Sequence, residues 1–266
     1  MSVVRFFLAC LVLLIVVPGP LLAESNLRYA GATTLQRYFM PEAVRVFSEQ
    51  FDVRFTIEGG NTGPGLAALI KGNIDLAGAG RALTAEEKAA GLVEHFLGWD
   101  VLAVVLNRTN PVSDLSREQL QAIFSGGISN WQEVGGVEQP VIVITNPKGS
   151  GMRAAVKQLI LGDKDYLDLE VVSAIVAESD SKVAMFANGI TALSMSMVDD
   201  DKVKTIRVDD VEPTAETLAA GRYSLAKPLY LVTMGPPQGL LADFVRLATG
   251  HQGQEILARH FVPAAR

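Results

Sequence analysis

The sequence predicts a layered α/β fold. Short β-rich runs alternate with amphipathic helical patterns from one end of the chain to the other. Of the 266 residues 49% are hydrophobic and 20% charged, which suits a chain with a real core and excludes a disordered one. No repeat, low-complexity tract or long linker interrupts the pattern, so the length fits one two-lobed domain or two modest ones.

The first 23 residues stand apart. Arg5 supplies a short positive region, residues 6–17 form an apolar core, and Pro18-Gly19-Pro20 breaks any helix before Leu21-Leu22-Ala23. This is the pattern of an export signal cleaved near Ala23, too short to span a bilayer, which takes roughly 20 apolar residues. A retained anchor is the alternative. Cleavage removes Cys10, the only cysteine, so the exported protein has neither a disulfide nor a Cys-ligated metal.

Residues 27–30 read as a strand, followed by Gly31-Ala32-Thr33-Thr34 and a helix with Leu35, Phe39, Ala43, Val46 and Phe47 on one face. Pro41 marks either a kink in that helix or the first turn of its main part. Residues 53–57 form a strand running into Gly59-Gly60-Asn61-Thr62-Gly63-Pro64-Gly65, a helix over 66–71 and a strand over 74–77. Thr84-Ala85-Glu86-Glu87 and Ser116-Arg117-Glu118-Gln119 are capping boxes, which start helices near 85 and 117. Residues 100–106 are almost wholly apolar, as in a buried strand. Further strands fall at 141–145, 190–195, 203–208 and 229–234, with helices at 152–161, 240–247 and 252–261.

Three places repeat one device, in which a strand ends, Gly and Ser or Thr follow, and a helix begins. They are Gly31-Ala32-Thr33-Thr34, Asn61-Thr62-Gly63-Pro64-Gly65 and Lys148-Gly149-Ser150-Gly151-Met152. Glycine admits a ligand close to the backbone, and the first turn of a helix offers unpaired N–H donors. Hydroxyls and the helix dipole add further attraction for an anion. Converging ends of this kind enclose a small oxyanion without net positive charge, so the formal charge of −6 is no objection. Ordinary N-capping explains the same residues equally well. If the three form one site, Thr33, Thr62 and Ser150 face a shared space.

Other chemistry is poorly supported. The acidic balance and the lack of a basic run argue against a nucleic-acid partner. Position 148 is Lys, so there is no Gly-x-Ser-x-Gly elbow, and no phosphate-loop signature is present. His95, His251 and His260 lack metal-ligand spacing and read as structural, so no cofactor or metal is expected. Asp199-Asp200-Asp201 reads as a solvated turn, and Trp99 and Trp131 as core or lobe-edge aromatics.

Ordered strings across residues 27–263 resemble a known family. They include Gly31-Ala32-Thr33-Thr34, Gly59-Gly60-Asn61-Thr62-Gly63 and Asn73-Ile74-Asp75-Leu76-Ala77-Gly78-Ala79-Gly80-Arg81, then Ile123-Phe124-Ser125-Gly126 and Asn130-Trp131. Gly149-Ser150-Gly151, Gly221-Arg222-Tyr223 and Lys227-Pro228-Leu229-Tyr230 complete the set. The chain resembles the phosphate-binding proteins of bacterial ABC importers, which have the type II periplasmic binding-protein fold. The resemblance implies two α/β lobes, each a mixed sheet flanked by helices, with a ligand cleft between them. Residues 24–105 and 229–266 would be lobe 1 and 106–228 lobe 2, with the strands near 100–106 and 229–234 crossing over. It also implies a monomer, periplasmic or secreted, that captures phosphate or a similar oxyanion for ABC-transporter membrane subunits and performs no catalysis.

Carried over by position, ligand contacts fall on Thr33, Thr34, Thr62, Ser150 and Gly151, with Gly80, Arg81 and Met152 at neighbouring family positions. The chain departs from the family at three of them. Gly80 stands where Ser or Asp is common, Asn146 where Arg is frequent, and Met152 where Thr is usual. Gly80 implies a weaker preference for phosphate over sulfate, which an acidic side chain there would restore. Lys148 and Arg153 are the cations expected to compensate, and Asp75 and Glu58 the nearest carboxylates. Two alternatives accompany this reading: a sensor or interaction module with a reduced site, and a secreted hydrolase using Ser150.

Overall fold

The computed structural model describes residues 25–264, so the expected export signal lies outside the described residues. Its strands are β1 (Ser25–Gly31), β2 (Val53–Ile57), β3 (Leu76–Ala79), β4 (Leu92–Asn107), β5 (Asp114–Leu115) and β6 (Ile142–Thr145), then β7 (Val171–Val172), β8 (Gly189–Ser194), β9 (Val203–Thr205), β10 (Arg207–Val208), β11 (Ala226–Met234) and β12 (Val262–Pro263). The main sheet runs in the order β2-β1-β3-β11-β4-β8-β6-β7. It is mixed: β1 pairs in parallel with β2 and β3, and β6 with β7 and β8, whereas β11 and β4 run antiparallel to their neighbours.

The sheet carries two separate bodies of core. One is built around Leu102–Leu106, Leu120, Phe124, Trp131, Ile144 and Leu193. The other is built around Tyr29, Phe39, Phe47, Leu76, Leu229, Phe244 and Leu257, with a satellite around Leu66, Leu69, Ala77 and Ala79. The long strand β4 runs through both, with Leu97 in the second core and Val101–Leu106 in the first, and pairs with β11 from Leu92 to Val101. β4 is 16 residues long and its last eight are all buried, so it is a core strand at one end and half-exposed at the other.

Local sequence signals account for several helix starts. Thr84 and Ser116 close both expected capping boxes, at the heads of the helices Ala85–Ala89 and Arg117–Ser125. The expected first helix is two: α1 (Thr33–Tyr38) and α2 (Met40–Ser48), separated by Phe39 at φ −120°. Pro41 lies in the first turn of α2, where a missing N–H costs nothing. α3 (Thr62–Ile70) starts earlier than expected, because glycines make its first turn look like loop in sequence. β3 sits two residues later than predicted, since its register with β1 begins at Tyr29↔Leu76. Residues 203–208 are two strands, not one: β9 joins the main sheet and β10 pairs with β5 in a separate ribbon. Asp209 and Asp210 follow with positive φ, a turn that redirects the chain.

Buried Trp131 donates its indole N–H to the Asn188 carbonyl, whereas Trp99 is 40% exposed and packs edge-on against Phe96. His95 lies in β4 within hydrogen-bond distance of Thr233 Oγ1, and burial pushes its pKa down, so it is neutral at pH 7. Asp199 pairs with Lys202 across the expected acidic turn. Among the described residues no helix is long and apolar enough to cross a membrane, and no cluster of three His, Cys, Asp or Glu is placed to hold a metal ion.

Candidate anion-binding site

Three helix starts meet where the two cores face each other. Thr33 and Thr34 open α1 directly after β1, Thr62 opens α3, and Gly151 opens the helix Gly151–Val156 after β6. The Gly63 N–H donates to the Gly149 carbonyl at 3.1 Å, so the α3 turn and the Gly149–Gly151 turn are in contact. A Cβ added at Gly151 would lie 2.9 Å from Thr62 Oγ1 and 3.0 Å from Gly80 Cα, closer than a side chain allows. Glycine at 151 is therefore a condition of closure.

Between these turns lies a cavity of about 20 Å³, lined by Ala32, Thr33, Thr34, Asn61, Thr62, Gly80, Gly151, Met152, Val176, Met197 and Lys227. Pockets for organic ligands hold roughly 300–1,000 Å³. This one suits a small ion.

Six of the eight residues expected from the sequence line the cavity: Thr33, Thr34, Thr62, Gly80, Gly151 and Met152. The other two, Arg81 and Ser150, do not line it. Arg81 turns away, its guanidinium held bidentately by Glu87 at 2.8 Å on both arms, and Glu87 is in turn held below the usual carboxylate range by those bonds. Ser150 is 2% exposed but does not line the cavity; its Oγ accepts the Arg153 N–H at 3.1 Å and caps the helix. The shared space thus contains Thr33 and Thr62, with Gly151 in place of Ser150. Replacing Ser150 by Ala should remove about 1 kcal/mol of cap energy, a fall of about 2–4 °C in Tm for a chain this size. An unchanged melting curve would show that the cap is redundant.

The other two helix starts differ. Ala32 and Asn61, their N-cap residues, make no side-chain cap bond, so no side chain caps their first turns. Asn61 holds φ 72° and ψ 159°, a state otherwise nearly confined to glycine, and such strain concentrates at functional sites. Thr62 is fully buried and its Oγ1 accepts the Gly80 N–H at 3.0 Å. With that lone pair used, the hydroxyl proton remains available to an acceptor in the cavity.

The expected compensating cations are elsewhere. Lys148 is exposed, and Arg153 pairs with Glu170 at 2.7 Å while lying over the Tyr166 ring. Asn146 is structural: it donates to the Ala192 carbonyl and accepts from Ser179. Asp75 is paired with Arg28 and Glu58 is exposed. The charged side chain that does line the cavity is Lys227 in β11, 4% exposed and 2.6 Å from Asp100 Oδ2. A Cβ added at Gly80 would stand 3.1 Å from Lys227 Nζ, so the ammonium borders the space an acidic residue at 80 would occupy. In the sequence Lys227 stands out only as part of the string Lys227-Pro228-Leu229-Tyr230. The available signal was a lone charge in the apolar run 225–232 facing another, Asp100, at the head of the apolar run 101–106.

The sequence profile of the PBP superfamily domain matches residues 20–251, most of the chain. The chain belongs to the PBP superfamily. Within it, the chain is 29% identical over 231 residues to the phosphate-binding protein PstS of Bacillus subtilis, covering 84% of this chain and 75% of that one. Among solved PBP-type structures, a substrate-binding protein from Clostridium perfringens with bound phosphate superposes with a TM-score of 0.84 at 28% identity, over 91% of this chain and all of that one. An ABC-type phosphate transport receptor from Vibrio cholerae gives 0.74 at 26% identity, over 90% of this chain and all of that one. The two-lobed fold expected from the resemblance is the one observed.

Proposed function

We propose that this protein is an exported solute-binding protein that captures an inorganic oxyanion, phosphate, between its lobes and delivers it to the membrane subunits of an ABC importer. The observation that carries this reading is the small buried cavity onto which two helix starts without side-chain caps, the Thr62 hydroxyl and one ammonium converge. The names of the PstS relative and of the phosphate-bound neighbour support the choice of phosphate. The lobes are residues 24–105 with 229–266, and 106–228. The core clusters support this division except at its first boundary: residues 101–105 pack with the core that extends to 225, whereas the other clusters lie within 29–97 and 229–261. β4 and β11 then form the hinge, and the Gly63–Gly149 hydrogen bond is a latch that must open to exchange ligand.

Isothermal titration of residues 24–266 with phosphate tests the reading, and one anion per chain is expected. Thr62→Val removes a donor to a charged acceptor, about 1.5–3 kcal/mol, and should weaken binding by roughly 10–100-fold. Thr62→Ser should restore most of it. A folded wild-type protein that gives no heat with phosphate would remove phosphate from the proposal.

A further inference from the structure

Lys227 and Asp100 are directly opposed in the antiparallel pairing of β11 and β4, so their side chains emerge on the same face. Both are almost fully buried, at 4% and 1% exposure. Their environments nevertheless differ. The ammonium lines the cavity and the carboxylate does not. Behind the pair, Ser194 donates to Asp100 Oδ1 and lies within hydrogen-bond distance of Ser196 Oγ, which fixes the carboxylate. Asp100 Oδ2 meets Lys227 Nζ at 2.6 Å as an ion pair but has no partner in hydrogen-bond geometry. An ammonium has three donors. One charge contact does not use them, and the adjoining space is the cavity beside Gly80.

We propose that Lys227 is the cation of the oxyanion site, with Asp100 as its positioning residue. This rests on the oxyanion reading of the cavity and adds how that site selects. Among the described residues no carboxylate lines the cavity, and Asp100 is held in the pair with Lys227. Nothing there repels a fully ionised ligand or requires a protonated one, and the ammonium favours charge over protonation state. The ligand class is therefore small tetrahedral oxyanions, with sulfate accepted beside phosphate. A carboxylate introduced at 80 would meet Lys227 first. Gly80→Asp is thus expected to weaken both anions, in contrast to the gain in phosphate preference that the sequence alone suggests.

The test compares wild type, Asp100→Asn and Lys227→Met/Asp100→Asn by titration with sodium phosphate and sodium sulfate, after circular dichroism confirms folding. Asn keeps an acceptor for Ser194, so the double variant removes both charges with little change in shape. Wild type should bind the two anions within about tenfold of each other. Asp100→Asn leaves an uncompensated ammonium and should bind both several-fold more tightly. The double variant should lose about 100-fold for both, the scale of one charge-assisted contact. A purely structural pair predicts equal affinities in the two variants, and that result overturns the assignment of Lys227. More than about 100-fold preference for phosphate in wild type overturns the charge-based selectivity. Wild type that binds neither anion refutes the oxyanion reading itself.

Discussion

Asp100→Ala is expected to lower the free energy of unfolding by about 3–5 kcal/mol, the usual cost of orphaning one member of a buried ion pair. Lys227 is 4% exposed, and among the described residues its charge partner is Asp100 at 2.6 Å. Without the carboxylate the ammonium is left as an unpaired charge in a buried place, which destabilises the folded state. Ser194 loses its acceptor as well. Urea unfolding of the single variant and of Asp100→Ala/Lys227→Met measures the coupling directly. The double variant should recover most of the loss, because no uncompensated charge remains. A loss below about 1 kcal/mol in the single variant would place the pair with exposed salt bridges and contradict its burial.

Gly31→Val is expected to cost a similar amount for a different reason. Gly31 ends β1 beside Gly78 of β3 and has φ +140°, a conformation that side chains rarely adopt. A Cβ there would lie 2.3 Å from the Gly78 carbonyl oxygen, the atom that accepts the Ala32 N–H at 2.8 Å. On the other side, a Cβ at Gly65 would lie 2.6 Å from Gly31 Cα, so α3 packs directly on this point. Overpacking of roughly 1–3 kcal/mol adds to about 1–2 kcal/mol for the backbone conformation. Relief requires β1 to move from β3, which shifts Thr33 and Thr34. Gly60→Ala is the comparison, since Gly60 has φ +143° with nothing within 4 Å of an added Cβ. It should show only the backbone contribution. Equal losses in the two variants would mean that the β1–β3 contact tolerates a side chain.

Features encoded over a few neighbouring residues were legible in the sequence. The capping boxes at Thr84 and Ser116 formed as expected because both partners lie within one turn. Thr33, Thr34, Thr62 and Gly151 stood out because strand, glycine and hydroxyl sit side by side in the chain, and the fold brings these turns to one cavity. The same locality explains the ambiguity at Ser150. Its pattern serves a cap and a ligand contact alike, and the structure shows the cap.

Tertiary structure decided the charges. Arg81 adjoins Gly80 in sequence, yet the helix Ala85–Ala89 presents Glu87 to it and turns the guanidinium from the cavity. Arg153 was taken by Glu170, which belongs to the segment returning toward β7. Lys227 and Asp100 meet only because β11 and β4 pair in one antiparallel register, with a shift between Leu229 and Tyr230. Hydrophobic periodicity identifies each strand separately but does not encode which residue faces which across the sheet. The alternation of elements and the order of the glycine-rich turns were therefore set by the sequence alone. The cation beside the cavity came from long-range strand register, because an ion pair acts over a few ångströms in space whatever its separation along the chain.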